Sequence, residues 1–496
     1  MKFNILFGGE AGQGPNILTH LLGETLVKQG YYVFYSRDYQ SLIRGGHNFN
    51  VLTFSNKPIY SNDSKIDILI ALDENTLKIH NKNLKKNAII LKGHTENMYY
   101  AGRLFKLLGI DFKVLEQKLK SLKKRFEENV KYAKKGYEEE KVEICKINPE
   151  KNNNYFADGN GGIAQGAIKA GLDVYFAYPM TPATPVLGKL ASEQIEKNYI
   201  VLEMENEIAI VNAAIGSAIT GAKAMVGTSG GGFDLMTEAI SMTGMAEVPL
   251  VLFLAQRPGP GSGVPTYTSQ GDLNMARCCG HGEFQRIVVA PGDPLEAEEL
   301  TSQAFYFSQK YKIPSIILSD KHLGESFYTI REKAKITKSI KSTVLTRFNS
   351  YEKNSTGIAT EDLKIIKKNT EKRLKKVKKI VKDALKFEQY KVYDSKKTKN
   401  LVVSWGSTKG AILDATEKLD CEFLQILYIE PFAKKIKEEL EGKNIILVEN
   451  NSTGQLANLI AEKIGIFIED KNKILRYDGR PFLCDELREE IRKRLN

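Results

Sequence analysis

Apolar and polar positions along the chain alternate between the short period of strands and the longer period of helices. Residues 3–7 form an apolar run, residues 8–14 form a glycine-rich loop, and residues 16–29 carry apolar side chains at helical spacing. Further apolar runs predict strands at 31–35, 49–54, 66–72 and 88–91. A strand, a glycine loop, a helix and a strand in this order predict a doubly wound α/β sheet, so residues 1–150 are interpreted as a Rossmann-like domain.

The same alternation continues beyond residue 150. Residues 208–220 are almost wholly apolar and are predicted to form a buried helix. Strands are predicted around this helix at 174–177, 200–204, 224–226, 249–254 and 314–318, and farther on at 401–404 and 444–448. The sequence therefore predicts two more α/β domains, at 151–345 and 399–496, joined by a basic helical connector at 346–398.

Positive charge is concentrated in that connector. The 496 residues include 72 Lys and Arg against 60 Asp and Glu, which gives a formal net charge of +12. Residues 321–400 alone hold 23 basic and 9 acidic side chains, a net of +14, so the rest of the chain sums to −2. Because the excess lies in one segment between domains, we expect a solvated lysine-rich helix and no nucleic-acid partner.

The cysteines and the apolar runs bear on location. The five cysteines have an odd count and no repeated spacing, so they do not indicate a disulfide framework. The sequence contains no C-x-x-C motif, so cysteine spacing does not indicate a metal site. No apolar run reaches the roughly 18–20 residues needed to cross a bilayer, and the first residues lack the pattern of a signal peptide. We expect a cytoplasmic protein with free thiols, no membrane association and no metal site.

Candidate chemistry gathers after the strands of the middle domain. Four loops, at 178–184, 203–207, 227–232 and 256–268, are expected at the carboxyl ends of parallel strands, where open α/β sheets bind ligands. Glu207 stands where a strand gives way to the apolar helix, and a buried carboxyl there suits the ring nitrogen of a cofactor. A plain carboxylate at a helix N-terminus is the alternative, and Glu203 and Glu205 are rivals on the same strand.

Other side chains in these loops suit an anionic ligand. Arg257 follows an apolar strand, where it would bind a carboxylate through two hydrogen bonds or else form a structural ion pair. The hydroxyls of Thr181 and Thr266 are further anion-binding candidates. The segment Gly227-Thr228-Ser229-Gly230 would let a ligand approach the backbone closely.

The first domain offers a weaker signal. Gly12 and Gly14 lie in the loop between its first strand and helix, a position that can bind phosphate. Their spacing, G-x-x-G-x-G with Gly9, departs from the G-x-G-x-x-G dinucleotide fingerprint.

A series of short motifs runs along nearly the whole chain. They are G-G-E-A-G-Q-G at 8–14, S-L-I-R-G-G-H-N at 41–48, Y-P-M-T-P at 178–182, E-M-E-N-E at 203–207, G-T-S-G at 227–230, Q-R at 256–257, G-V-P-T at 263–266, Q-G-D-L at 270–273 and V-E-N-N at 448–451. Together they resemble the 2-oxoacid:ferredoxin oxidoreductases, in the form in which a γ domain precedes the α subunit. Two departures are Met180 for a commoner isoleucine and three glycines at 230–232, where the family often has proline; we expect the glycines to loosen that loop.

The resemblance implies thiamine diphosphate-dependent oxidative decarboxylation of a 2-oxoacid, with coenzyme A taking the acyl group and ferredoxin the electrons. It implies that the middle domain binds the pyrimidine of thiamine and that the last domain is like the C-terminal domain of transketolase. By the same resemblance, Glu207 contacts the aminopyrimidine ring, Thr181, Arg257 and Thr266 hold the substrate, and Tyr178 and Pro179 shape its pocket.

The resemblance also supplies candidates for the coenzymes and the partner. Residues 227–230 are assigned to the thiamine cofactor, and Gly12, Gly14, Arg44 and Gly45 to coenzyme A. The chain has no G-D-G segment for the Mg²⁺–diphosphate and no cysteine spacing for a cluster. We therefore expect a separate β subunit that carries Mg²⁺ and a [4Fe–4S] cluster, with thiamine diphosphate at the interface and a dimer of αβ pairs.

The sequence does not decide which 2-oxoacid is the substrate. The fused γα arrangement resembles 2-oxoglutarate enzymes, which makes 2-oxoglutarate the first choice. Pyruvate, branched-chain and aryl 2-oxoacids are alternatives within the family, and a non-catalytic scaffolding subunit is the alternative of another class.

Overall fold

The computed structural model describes residues 1–40, 46–121, 125–342, 349–394 and 398–495. The elements of the first third are β1 (Lys2–Glu10), α1 (Pro15–Lys28), β2 (Tyr32–Asp38), β3 (His47–Ser55), β4 (Ile66–Ala71), α2 (Glu74–His80), β5 (Leu84–Leu91), α3 (Asn97–Leu107), α4 (Phe112–Ser121), α5 (Phe126–Glu139) and β6 (Tyr155–Asp158). The middle elements are α6 (Gly159–Lys169), β7 (Val174–Ala177), α7 (Thr184–Lys197), β8 (Ile200–Glu203), α8 (Glu207–Ile219), β9 (Ala224–Thr228), α9 (Gly230–Ala246), β10 (Leu250–Gln256), α10 (Leu273–Cys278), β11 (Ile287–Val289), α11 (Pro294–Tyr311), β12 (Pro314–Asp320), α12 (Lys321–Glu325) and β13 (Phe327–Ile330). The last elements are α13 (Leu363–Ala384), β14 (Tyr390–Tyr393), β15 (Asn400–Trp405), α14 (Thr408–Thr416), β16 (Glu422–Ile426), β17 (Tyr428–Glu430), α15 (Ile436–Leu440), β18 (Asn444–Glu449), α16 (Gln455–Ile464), β19 (Lys473–Leu475) and α17 (Cys484–Arg492).

These elements form two compact units. The first comprises Met1–Ala157 together with Ser326–Glu332 and Leu483–Glu486. The second comprises Asp158–Glu325, Lys333–Phe482 and the residues from Leu487 onward. No helix in the described ranges is long and apolar enough to cross a membrane.

The first unit contains a mixed sheet in the order β5-β4-β1-β3-β2-β13-β6. Helix α1 connects β1 to β2 as the sequence predicts, but β3 lies between these strands and pairs antiparallel with both. Strand β13 was not predicted; it joins this sheet through Phe327 and Tyr328, which pair with Tyr35 and Phe34. The large side chains of Phe7, Phe54 and other apolar residues fill the core behind the sheet.

The second unit holds the sheet β17-β11-β12-β10-β9-β7-β8, which is parallel except for β17. Strands β7, β9, β10 and β12 are buried along their whole length, which explains their continuous apolar runs in the sequence. Helix α8 buries Ile210, Val211 and Ala214 against this sheet. Ile208 and Asn212 on its other face are exposed, so the helix is not buried all round as its apolar composition predicts.

A third sheet, β14-β16-β15-β18-β19, belongs to the same unit. Its apolar residues, including Trp405 and Leu424, share one buried cluster with Val226 and Leu254 of the second sheet. This shared core packs the segments predicted as middle and C-terminal domains into one unit. Within the predicted connector, α13 is a helix, but Tyr390–Tyr393 is a strand that pairs antiparallel with β16, so the connector is not helical throughout.

Candidate active site

The four predicted loops lie at one edge of the parallel sheet. Ala177 at the end of β7 is level with Glu203 of β8 and with Gly227 of β9. Leu254 of β10 is level with Thr228 at the end of β9. Because these strands run in the same direction, the segments that follow them emerge together, as the sequence predicts.

Glu207 is the first residue of α8 at this edge. The side chain of Asn206 caps the helix by accepting a hydrogen bond from the Ala209 N–H at 2.9 Å. Only 4% of Glu207 is exposed, whereas Glu203 and Glu205 are both exposed. The Oε1 atom of Glu207 is buried and has no hydrogen-bond partner among the described residues. Since buried polar atoms are nearly always satisfied, this unpartnered oxygen is a candidate acceptor for a hydrogen bond from a bound ligand.

The first turn of α9 packs against Glu207. A Cβ atom on Gly232 would lie 2.6 Å from Glu207 Oε1 and closer still to the Thr228 hydroxyl. A Cβ on Gly230 would lie 3.0 Å from Asp272 Oδ2, whereas one on Gly231 would meet nothing within 4 Å. Residues 230–232 form the first turn of α9 rather than the loosened loop we expected. The carboxyl groups of Glu207 and Asp272 lie where side chains at 232 and 230 would be.

Arg257 lies close enough to Asp272 and Glu207 for their charges to act on it. Its Nη1 atom donates a hydrogen bond of 2.7 Å to the carbonyl oxygen of Thr181. Burial lowers the pKa of Arg257, and the nearby charges of Asp272 and Glu207 oppose this shift. No carboxylate oxygen of the described residues lies within 4.0 Å of its guanidinium nitrogens, so the structural ion pair that was the alternative is absent there. The remaining N–H groups are available to an anionic ligand.

The other predicted residues of the second unit take different positions. Thr181 reaches Arg257 through its backbone, and Tyr178 and Pro179 are exposed at the start of the same loop. Thr266 is buried, and in the described part of the chain no hydrogen bond joins it to Arg257 or Thr181. Gly227 lies inside β9, where a Cβ would collide with the Tyr175 hydroxyl, so packing within the sheet already explains this glycine.

The candidate residues of the first unit follow β1. Gly12 and Gly14 have φ angles of +94° and +89°, the left-handed region that favours glycine, and α1 begins immediately after them. Arg44 and Gly45 lie outside the described residues. Within the described ranges, no group of three or more His, Cys, Asp or Glu side chains is arranged to hold a metal ion.

One residue of the site was missed from the sequence. Asp272 lies beside Gly230, and its charge acts on Arg257. Burial raises the pKa of Asp272 to about 6, with the charge of Asp234 adding to the shift and that of Arg257 opposing it. The Q-G-D-L motif includes Asp272, but the motif alone does not show that this carboxyl lies near enough to Arg257 to interact with it.

Sequence comparisons connect this arrangement to known proteins. A family described as pyruvate flavodoxin/ferredoxin oxidoreductase, thiamine diphosphate-binding, matches residues 165–393, and the pyruvate ferredoxin/flavodoxin oxidoreductase family matches residues 4–92. The 2-oxoacid:ferredoxin oxidoreductase subunit alpha of Saccharolobus solfataricus is 30% identical over 99% of this chain and 98% of its own length. A 2-oxoglutarate synthase subunit KorA of Methanocaldococcus jannaschii is 30% identical over 60% of this chain and 88% of its own length.

A solved structure supports the fold. The 2-oxoglutarate:ferredoxin oxidoreductase of Magnetococcus marinus, solved with 2-oxoglutarate, coenzyme A and succinyl-CoA bound, superposes with a TM-score of 0.88 at 21% identity, covering 100% of both chains. This match confirms the α/β architecture, and the full-length relative confirms the family predicted from the motifs. The chain therefore belongs to the 2-oxoacid:ferredoxin oxidoreductases, as an alpha subunit of these enzymes.

Proposed function

We propose that this γα-fused chain acts with a separate β subunit in the thiamine diphosphate-dependent oxidative decarboxylation of a 2-oxoacid. Coenzyme A takes the acyl group and ferredoxin takes the electrons, so the products are acyl-CoA, CO₂ and reduced ferredoxin. The observation that carries the proposal is the buried, unpartnered Oε1 of Glu207 at the edge of the sheet where Arg257 also lies.

The residues present fit the pyrimidine half of thiamine diphosphate. When bound, this cofactor supplies the electron sink that decarboxylation of a 2-oxoacid requires. Glu207 Oε1 would hold a hydrogen bond to a ring nitrogen of the aminopyrimidine. Asn206 fixes the start of α8, and Gly232 and Thr228 enclose the carboxyl, so the geometry of Glu207 is set before the cofactor arrives.

Arg257 is the proposed anchor for the carboxylate of the 2-oxoacid. Its bond to the Thr181 carbonyl orients the guanidinium and leaves other N–H groups for the substrate. The Thr181 hydroxyl and Thr266 would complete the polar contacts, and Tyr178 and Pro179 would shape the entrance. In the first unit, the turn at Gly12 and Gly14 is proposed to contact coenzyme A.

A partner chain is expected beside this edge of the sheet. Four large apolar side chains near the site residues are exposed: Tyr178, Ile208, Leu235 and Val264. Each is a site residue or lies within a few residues of one along the chain, which is consistent with a partner chain at this end of the sheet. Because relatives are named as alpha subunits, we propose that a β subunit covers it and contributes Mg²⁺, the diphosphate-binding loop and a [4Fe–4S] cluster, in a dimer of αβ pairs.

The proposed substrate is 2-oxoglutarate. Relatives named 2-oxoglutarate synthase support this choice over pyruvate and over branched-chain or aryl 2-oxoacids. The test is viologen reduction by the complex purified anaerobically, with coenzyme A and each 2-oxoacid in turn. The highest kcat/KM is expected with 2-oxoglutarate, and a higher value with another 2-oxoacid would replace it.

The role of Glu207 is tested in the same assay. Glu207→Gln is expected to lower kcat by about 10²–10⁴-fold, the range for loss of a positioned proton-transfer group, with the complex intact. Glu205→Gln is the matched control, because Glu205 is exposed two residues away and should keep full activity. An assembled Glu207→Gln complex with unchanged turnover would contradict the catalytic proposal and favour a scaffolding role.

A further inference from the structure

Asp272 has a carboxyl group that the proposed reaction does not use. It occupies the N-cap position of α10, but its side chain does not cap that helix. Instead, its Oδ2 lies beside Gly230, on the same helical turn whose Gly232 faces Glu207. Two carboxyl groups therefore flank the first turn of α9, and the charge of Arg257 acts on both.

The backbone at Asp272 is held by hydrogen bonds to buried side chains. Its N–H donates to Gln256 Oε1 at 3.0 Å, and Gln256, which is fully buried, donates from Nε2 to the Ser319 carbonyl at 3.0 Å. Two residues earlier, the buried side chain of Gln270 donates from Nε2 to the Trp405 carbonyl at 2.7 Å. These buried side-chain amides fix the backbone position of Asp272. Because Gln256 immediately precedes Arg257, the same hydrogen bonds also fix the backbone next to Arg257.

The charged groups around Asp272 come from three elements. Arg257 lies after β10, Asp234 lies on α9, and Glu207 at the start of α8 acts on the same guanidinium. An ionised Asp272 attracts the guanidinium and repels an incoming carboxylate, whereas a neutral Asp272 leaves the positive charge of Arg257 to the ligand. The pKa of about 6 places this change within the working range of an enzyme.

We propose that Asp272 is a positioning residue that controls how strongly Arg257 binds the carboxylate of the 2-oxoacid. Protonated Asp272 favours substrate binding and ionised Asp272 weakens it, so KM for the 2-oxoacid rises as pH increases through the titration of Asp272. The inference rests on the proposed role of Arg257 and adds a residue that sets substrate affinity without touching the reacting atoms.

The test uses the assembled enzyme and viologen reduction between pH 5.5 and 8.5 at saturating coenzyme A. At pH 8, Asp272→Asn is expected to lower KM for 2-oxoglutarate about threefold to tenfold, the effect of removing one partly screened charge. It should change kcat by less than about twofold and flatten the pH profile of KM. A KM profile like that of the wild-type enzyme would overturn the proposal.

A second variant keeps the test decisive if Asp272→Asn does not assemble. Asp234 is exposed on α9 and repels the charge of Asp272, so Asp234→Asn is expected to move the rise in KM to lower pH. An unmoved profile would contradict the inference. Wild-type enzyme whose viologen reduction does not depend on any 2-oxoacid would instead refute the proposed function, so the two failures are distinguishable.

Discussion

Gly232 and Gly231 provide the sharpest test of how the site is packed. A Cβ on Gly232 would lie 2.6 Å from Glu207 Oε1, whereas a Cβ on Gly231 would meet nothing within 4 Å. Both residues lie in the first turn of α9, so replacement by alanine gives each a similar gain in helix propensity, about 1 kcal/mol. The difference between Gly232→Ala and Gly231→Ala therefore isolates the steric effect.

The expected magnitude follows from the contacts. Adding a methyl group to a filled position typically costs about 1–3 kcal/mol, because side chains must move from their preferred rotamers. Gly232→Ala should be less stable than Gly231→Ala by about that amount. The displaced carboxyl of Glu207 should also lower kcat by about 10²-fold, since misplacement of a catalytic group by about 1 Å has that effect.

Thermal unfolding of the purified complex and viologen reduction measure the two effects. Gly231→Ala should unfold at or above the wild-type temperature and keep wild-type activity. Gly232→Ala should unfold several degrees lower and lose most of its activity. Equal stability and equal activity of the two alanine variants would refute the idea that Gly232 is required by the packing of Glu207.

Two further predictions concern stability. Lys409→Met should destabilise the chain by about 1–3 kcal/mol in urea, because the buried Glu296 loses the ammonium 2.6 Å away and keeps that of Lys391 at 3.1 Å. The exposed Lys375→Met is the control and should change stability by less than about 0.5 kcal/mol. Burial raises the pKa of Glu449 to about 7, although hydrogen bonds from Trp405 and other donors act to lower it. The carboxyl of Glu449 therefore loses its proton at lower pH in the unfolded chain than in the folded chain. The contribution of Glu449 is thus fully present below about pH 4.5 and lost as pH rises to about 7. Glu449→Gln should flatten urea stability over that range, and an unchanged slope would contradict the assignment.

The sequence predicted that Glu207 and Arg257 lie at the same end of one sheet, because the signals for both positions are local. Glu207 and Arg257 both follow apolar strands, and parallel strands bring such positions to one edge of the sheet. The helix α8 was also visible from its apolar composition, although the structure buries only one of its faces and leaves Ile208 and Asn212 exposed on the other. The motifs then identified the family, which the full-length relative confirms.

The elements that were missed depend on tertiary pairing. Tyr390–Tyr393 contains only four residues beside a run of lysines, and it becomes a strand because β16 offers an edge. Phe327–Ile330 likewise becomes a strand by pairing with β2 in the first unit. Neither segment is long enough for its own periodicity to decide, so only the folded chain reveals its state.

Residues 230–232 show why composition misled at the site itself. Three glycines favour a flexible loop because glycine loses the most backbone entropy on ordering. In the structure these residues begin a helix, and the carboxyl groups of Glu207 and Asp272 occupy the space that side chains at 232 and 230 would need. The charges of both carboxyl groups act on Arg257; one is proposed to hold the cofactor and the other to set substrate affinity. A segment that looks flexible in the sequence is, in the fold, a point of close packing on which the charges of the site depend.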